Sequence, residues 1–290
     1  MTNTTSVTVI VPAYNAAPFV SVTLDALLSQ TQVPEQIIVI DDGSTDDTAA
    51  IAERMGAHVV QQDRKGPGAA RNRGLELAKT RFVAFCDADD WYVPDKLERA
   101  VEMMETLGAS CASTDAWVVR DDRVEGRKNE PRPIPSVLTL EYLLVSNPIV
   151  CSTVVARRDA VEEAGGFDEA EDLIASEDYD LWLRLATKEP IAYSSRPMTF
   201  YRVHEGSLSA NARFMRGLER ILERISKQHE GEVHFQNLIK RRRAGVRLDL
   251  AWDLIGDGRP DEARKVIREA QQLAPTWKGL KMRLRSYLKR

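Results

Sequence analysis

The sequence predicts an α/β fold: an open, Rossmann-like, mostly parallel sheet flanked by helices, with a C-terminal helical extension. Three observations predict it. Strand-like and helix-like patterns alternate four times within about the first 110 residues. The polar clusters Tyr14-Asn15, Asp41-Asp42 and Asp87 to Asp90 each follow an apolar run. Open sheets of this kind collect ligands at just such strand ends. From residue 212 onward, helical spacing replaces the alternation.

The elements follow in order. Ser6 to Val11 is short and β-branched, a buried strand that Pro12 stops. Val22, Leu24, Leu27 and Leu28 mark a helical stripe between Pro18 and Gln30. Gln36 to Ile40 is the next strand, and Ser44 or Asp46 can cap the helix carrying Ile51 and Met55. His58 to Gln61 is a third strand. Lys65-Gly66-Pro67-Gly68 then opens a helix over 69–79. Phe82 to Cys86 is the fourth strand, and Pro94 starts a helix with Leu97, Val101, Met104 and Leu107 along one face. Residues 121–136 read as a loop, Ile149 to Ala156 as a strand, and Gly165-Gly166 as a turn. A helix begins near Ser176, Tyr193 to Tyr201 is a strand, and His204 to Ser207 is a loop. Residues 212–290 read as helical with a break at Gly256 to Pro260, and two helices around it resemble one tetratricopeptide-type hairpin. Two domains are expected, 1–210 and 211–290.

Charge divides the same way. Residues 206–290 hold 20 Lys/Arg against 10 Asp/Glu, and residues 1–205 hold 20 against 34. No run approaches the roughly 18 apolar residues of a membrane span, and no basic leader precedes the first apolar run. Cys86, Cys111 and Cys151 lie in apolar surroundings, an odd set that reads as reduced thiols. A cytoplasmic protein is expected, with no nucleic-acid partner.

Asp87, Asp89 and Asp90 put three carboxylates within four residues. Their mutual repulsion is relieved if a divalent cation bridges them to a diphosphate. Gly66, Gly68 and Arg71 sit at a helix start, where backbone N–H groups receive anions. Asp178 shares a helix face with Leu181, Trp182 and Leu185, an inward face by spacing, whereas Glu177 shares one with Asp180 and Arg184. An inward carboxylate at a helix start suits a general base.

The runs VTVIVPAYN (7–15), IIVIDDGSTDDT (37–48), GPGAARNRGLELAK (66–79), FVAFCDADDWYVPDKL (82–97), GGFDE (165–169) and SEDYDLWLRL (176–185) resemble, in this order, the family-2 glycosyltransferases of GT-A fold. The resemblance spans about the first 205 residues and leaves 212–290 uncovered. It implies transfer of a sugar from a nucleotide-sugar donor, with inversion, to a saccharide or lipid-linked acceptor. Asp89 and Asp90 then stand for the metal-binding acids of a DxD-type element, with Mn²⁺ or Mg²⁺ as cofactor and Asp87 orienting the turn and helping to hold the nucleotide. One of Asp41 and Asp42 accepts the base N–H, which favours a uridine or thymidine donor. Tyr14 packs on the base, Pro12 and Ala13 give backbone contacts, and Asn15, Gly68 and Arg71 complete the nucleotide seat. Asp178 falls on the family's base, and His204 on a histidine that completes the metal or phosphate shell in some relatives.

The tail from Trp277 carries six basic and no acidic residues, with Leu280, Leu284 and Leu288 every four residues. It fits a helix on an anionic membrane surface, a partner surface, or the protein's own domain. A sugar nucleotidyltransferase would place a glycine-rich, basic loop after the first strand, where PAYNAAP stands. A dinucleotide oxidoreductase lacks its GxGxxG. A non-catalytic nucleotide-binding adaptor would tolerate loss of the acids, all of which are present.

Overall fold

The computed structural model describes residues 6–130, 133–204, 211–276 and 279–282, without the side chains of 211–213. In chain order the first half comprises β1 (Val7–Ala13), α1 (Val20–Leu28), β2 (Gln36–Asp41), α2 (Thr48–Arg54), β3 (His58–Gln61), α3 (Pro67–Leu77), β4 (Phe82–Phe85), β5 (Trp91–Tyr92) and α4 (Lys96–Leu107). Then come β6 (Cys111–Arg120), β7 (Arg123–Arg127), β8 (Val137–Leu138), α5 (Leu140–Val145), β9 (Val155–Arg157), α6 (Arg158–Glu163), α7 (Glu177–Lys188) and β10 (Ile191–Arg202). The helices α8 (Asn211–Gln228), α9 (Val233–Gly256) and α10 (Pro260–Leu273) follow. Two compact units result: Met1–Leu140 with Pro148–Leu208, and Glu141–Asn147 with Ser209–Arg290.

The first unit carries one sheet, in the order β3-β2-β1-β4-β9-β6-β10-β5, with β7 on β6 and β8 on β10. β1, β2, β3 and β4 pair in parallel, as do β6 and β10, while β9 runs antiparallel between β4 and β6. Ala13 is level with Asp41, and Asp41 with Gln61, so the first three strands end on one line. Alternate residues face opposite layers, as the pleat requires. Val9, Val11, Val39 and Phe82 pack with Leu24 and Leu27 of α1 and Leu97 and Met104 of α4. Ile38 and Ile40 face the other way, against Ala70 and Leu77 of α3.

Several expectations shift. In α1 the buried side is Val20, Thr23, Leu24 and Leu27, while Val22 and Leu28 are exposed, because Thr23 turns inward to donate to the carbonyls of Ala88 and Asp90. The 121–136 loop contains β7, which folds back on β6 through Asp121 and Asp122, both in the left-handed region. The strand expected over 149–156 is shorter, with a 3₁₀ turn at Cys151–Thr153 before β9. A second helical break falls between α8 and α9, and the Glu205 to Ser207 loop lies outside the described residues. The 165–166 turn forms, with both glycines at positive φ.

Within the second unit α9 and α10 form a hairpin. Ala244, Leu248 and Ala251 meet Ala263, Ile267 and Ala270, and the alanines let the helices approach closely. No helix among the described residues is long and apolar enough to cross a membrane. The three thiols are free and buried. Burial pushes the Cys111 thiol up to about 12, and raises Cys86 and Cys151 well above the usual range.

α3 is seated on β1 through Gly74. A Cβ there would stand 2.3 Å from Ile10 Cγ2. Gly74→Ala is therefore expected to lower stability by about 1–3 kcal/mol, read as a shifted urea midpoint with unchanged m-value. An unshifted midpoint would show that the helix can move outward at no cost.

Candidate active site

The level ends of β1 and β2 gather two loops. The Asn15 Oδ1 accepts the Thr45 amide at 2.8 Å, and the Asn15 amide donates to Ser44 Oγ at 2.9 Å. Ala16 and Ala17 donate to Thr48 Oγ1 and Asp46 Oδ2 at 2.8 and 3.1 Å. Tyr14 is exposed beside this clamp, and Ala13 is buried and accepts the Asp42 amide at 2.8 Å. Arg64, which the sequence did not single out, lies 3.7 Å from the centre of the Tyr14 ring and donates to its hydroxyl at 2.9 Å.

Asp41 accepts the Ser44 amide at 3.1 Å. Asp42 accepts from Gln62 Nε2 and the Lys65 amide on Oδ1, and from the Gly66 amide on Oδ2, each at 2.8 Å. The Gly66 amide, at the helix start expected to receive an anion, therefore already holds a carboxylate, as does the neighbouring Lys65 amide. Gly66 has φ +95, a conformation that suits glycine. At Gly68 a Cβ would lie 3.3 Å from Glu177 Cγ, so this glycine lets α3 approach α7.

Arg71, expected to help complete the nucleotide seat, is engaged by two carboxylates of the protein itself. Its buried guanidinium donates to Asp87 Oδ1 at 2.6 Å and to Glu177 Oε1 at 2.7 Å. The cation thus ties the end of β4 to the start of α7. Asp87 is further fixed by its amide, which donates to Ser152 Oγ at 3.0 Å on the 3₁₀ turn. Thr153 of that turn accepts the buried Lys96 amine at 3.1 Å, and burial lowers this amine to about 7.

Of the residues expected to hold a metal, Asp89 and His204 come together, with Oδ2 and Nε2 2.9 Å apart and both side chains partly open to solvent. Asp90 does not join them. It is fully buried and its Oδ1 accepts the Arg202 amide at 2.9 Å. Burial, then the neighbouring Asp89 and Asp87, raise its carboxyl well above the usual range. The Asp89 carboxyl is raised too, by burial and by Asp87. Among the described residues no three His, Cys, Asp or Glu side chains are arranged to hold a metal ion. The Asp89–His204 pair, a hard oxygen and an imidazole, is a donor set that would suit Mn²⁺ or Mg²⁺.

The faces of α7 are the reverse of the spacing argument. Glu177 and Asp180 are buried, paired with Arg71 and Arg184, whereas Asp178 is only partly buried. Tertiary ion pairs let both acids sit inside, and Asp178 is the acid of this turn most open to a substrate. Its Oδ1 accepts the Tyr179 amide at 2.6 Å. Desolvation, followed by the charge of Glu177, lifts its carboxyl to about 7, against the pull of Arg71. The Asp87 charge adds to that lift. Glu177, Arg64 and Ser152 were missed because their partners lie 106, 50 and 65 residues away along the chain.

The chain matches known proteins in sequence and in fold. The family model for "Glycosyl transferase family 2" matches residues 8–165, and "Glycosyltransferase like family 2" matches 135–241. The chain is 34% identical over 210 residues to the Escherichia coli UDP-Glc:alpha-D-GlcNAc-diphosphoundecaprenol beta-1,3-glucosyltransferase WfaP, covering 71% of this chain and 80% of that protein. It is 32% identical over 212 residues to the putative teichuronic acid biosynthesis glycosyltransferase TuaG of Bacillus subtilis, covering 71% and 82%. In fold it is similar to Staphylococcus aureus TarS residues 1–349 solved with UDP-GlcNAc, at TM-score 0.67 and 19% identity over 97% of this chain and 89% of that one. It is likewise similar to the mannosyltransferase PcManGT of Pyrobaculum calidifontis, solved with GDP-Man and Mn²⁺, at TM-score 0.64 and 18% identity over 97% and 79%. The sheet is that of a GT-A fold, and the chain belongs to glycosyltransferase family 2.

Proposed function

We propose that this glycosyltransferase moves a sugar from a UDP- or dTDP-linked donor to an acceptor hydroxyl, with inversion at the anomeric carbon. The observation that carries the reading is Asp178, a carboxylate raised to about 7 beside the Arg71–Glu177 bridge. A base of that strength is matched to work near neutral pH. The acceptor oxygen attacks the anomeric carbon from the face opposite the diphosphate, its proton passes to Asp178, and the bond to the departing diphosphate breaks. Tyr14, Pro12 and Ala13 seat the base, with a carboxylate of the Asp41–Asp42 pair accepting its N–H. Asp89 and His204 would hold a divalent cation, which when bound would neutralise charge on the leaving diphosphate. Asp87, fixed by Arg71, orients the turn between them.

The relatives support a cell-envelope setting: one is named for a UDP-Glc donor and a diphosphoundecaprenol-linked acceptor, another for teichuronic acid biosynthesis. We infer a lipid-linked or saccharide acceptor, cytoplasmic action, and peripheral membrane contact through the basic tail. The catalytic region is taken as 1–210, and acceptor choice is assigned to 121–150 with the helical region.

Isothermal titration with UDP tests the reading. Binding that strengthens about tenfold or more when Mn²⁺ is added is expected, since the cation bridges ligand and protein. Binding of equal strength in EDTA would remove the cation from the site.

A further inference from the structure

Arg202, the last residue of β10, grips both members of the Asp89–Asp90 pair. Its backbone N–H donates to Asp90 Oδ1 at 2.9 Å, and its Nε donates to the Asp89 carbonyl at 3.2 Å. The side chain is 12% exposed. Its guanidinium lies between two rings, 4.8 Å from the centre of Trp91 and 5.1 Å from that of Phe19. Trp91 stacks in turn on Phe200 at 5.0 Å, and Phe19 packs on the His204 ring at 5.1 Å. A continuous stack thus runs from the sheet to the imidazole that meets Asp89 at 2.9 Å. Asp122 also pairs with Arg202 at 2.5 Å, but it is 84% exposed, and such pairs contribute little.

Only a planar cation does all of this at once. Arginine stacks through its faces while donating from its edge, and lysine does not. The fold alone does not call for a buried cation here, since the strand's own ladder already secures β10 to β6.

We propose that Arg202 is the positioning residue of the divalent-cation site. It presets the Asp89 carboxylate and the His204 imidazole at one spacing before the cation and diphosphate arrive. This rests on the proposed function, in which Asp89 and His204 receive that cation. Ordering the pair in advance removes a cost that binding would otherwise bear.

The test measures Mn²⁺ binding in the presence of UDP, by the loss of the free-ion electron paramagnetic resonance signal. It compares the wild type with Arg202→Met, Phe19→Leu and Asp122→Asn, each checked for thermal unfolding. Arg202→Met and Phe19→Leu are expected to weaken Mn²⁺ binding about 10–100-fold, the range for groups that orient metal ligands. Saturating Mn²⁺ should then restore most of kcat. Asp122→Asn should stay within about twofold of wild type. Phe19→Leu decides the matter if Arg202→Met fails to fold. Wild-type or tighter Mn²⁺ affinity in these variants overturns the proposal. Absence of UDP-dependent Mn²⁺ binding in the wild type itself would instead overturn the cation site on which it rests.

Discussion

Asp178→Asn is expected to lower kcat by about 10³-fold while UDP binding stays at the wild-type level. The amide keeps the side chain's shape and can still accept the Tyr179 N–H, but it cannot take the acceptor's proton. The pH profile carries the same signature. With the Asp178 carboxyl at about 7, kcat of the wild type should climb through that pH and level off above it. Glu177→Gln removes the neighbouring charge that helps lift Asp178, so the acidic limb should move to lower pH. Stability should run the opposite way. A carboxyl raised above its unfolded value of about 3.9 favours folding only while protonated. Wild-type stability should therefore fall as pH rises from about 4 to about 7, and Asp178→Asn should lose this contribution. Native kcat in the Asn variant would remove the base from Asp178.

Arg71→Met should carry the largest stability loss among these substitutions. It leaves two carboxylates, one of them buried, without the cation that joins them. Breaking a buried ion pair from one side costs about 3–5 kcal/mol. Activity should fail as well, since Asp87 and α7 lose their common tether, and Asp178 loses the charge that pulls its carboxyl down. The acidic limb of any residual activity then moves upward. Adding Glu177→Gln to Arg71→Met should recover part of the stability, and a double-mutant cycle measures the coupling. A loss below about 1 kcal/mol for Arg71→Met would mean that water enters and screens the acids.

Much of the sheet was legible, because buried strands such as Gln36 to Ile40 and Phe82 to Cys86 are short, apolar and flanked by breakers. The strand ends were legible for the same reason, so Asp42, Asp87 and Asp89 could be placed at them, whereas Asp178 was placed by a helix-face argument that the structure reverses. What each acid touches was not legible. The spacing rule follows the apolar neighbours on a helix and so put Glu177 and Asp180 outside, whereas ion pairs with Arg71 and Arg184 hold them in. Asp90 looked like Asp89 by composition, yet the amide of Arg202, 112 residues on, turns it inward. The short edge strands β5 and β7 carry too few residues for periodicity to show.

Cys86, Cys111 and Cys151 are buried, with their protons firmly held. Maleimide and iodoacetamide react with accessible thiolates, so the native chain should remain unmodified by either. A cysteine introduced in place of Val33, which is 63% exposed, would take a single fluorophore and report on the fold without background labelling.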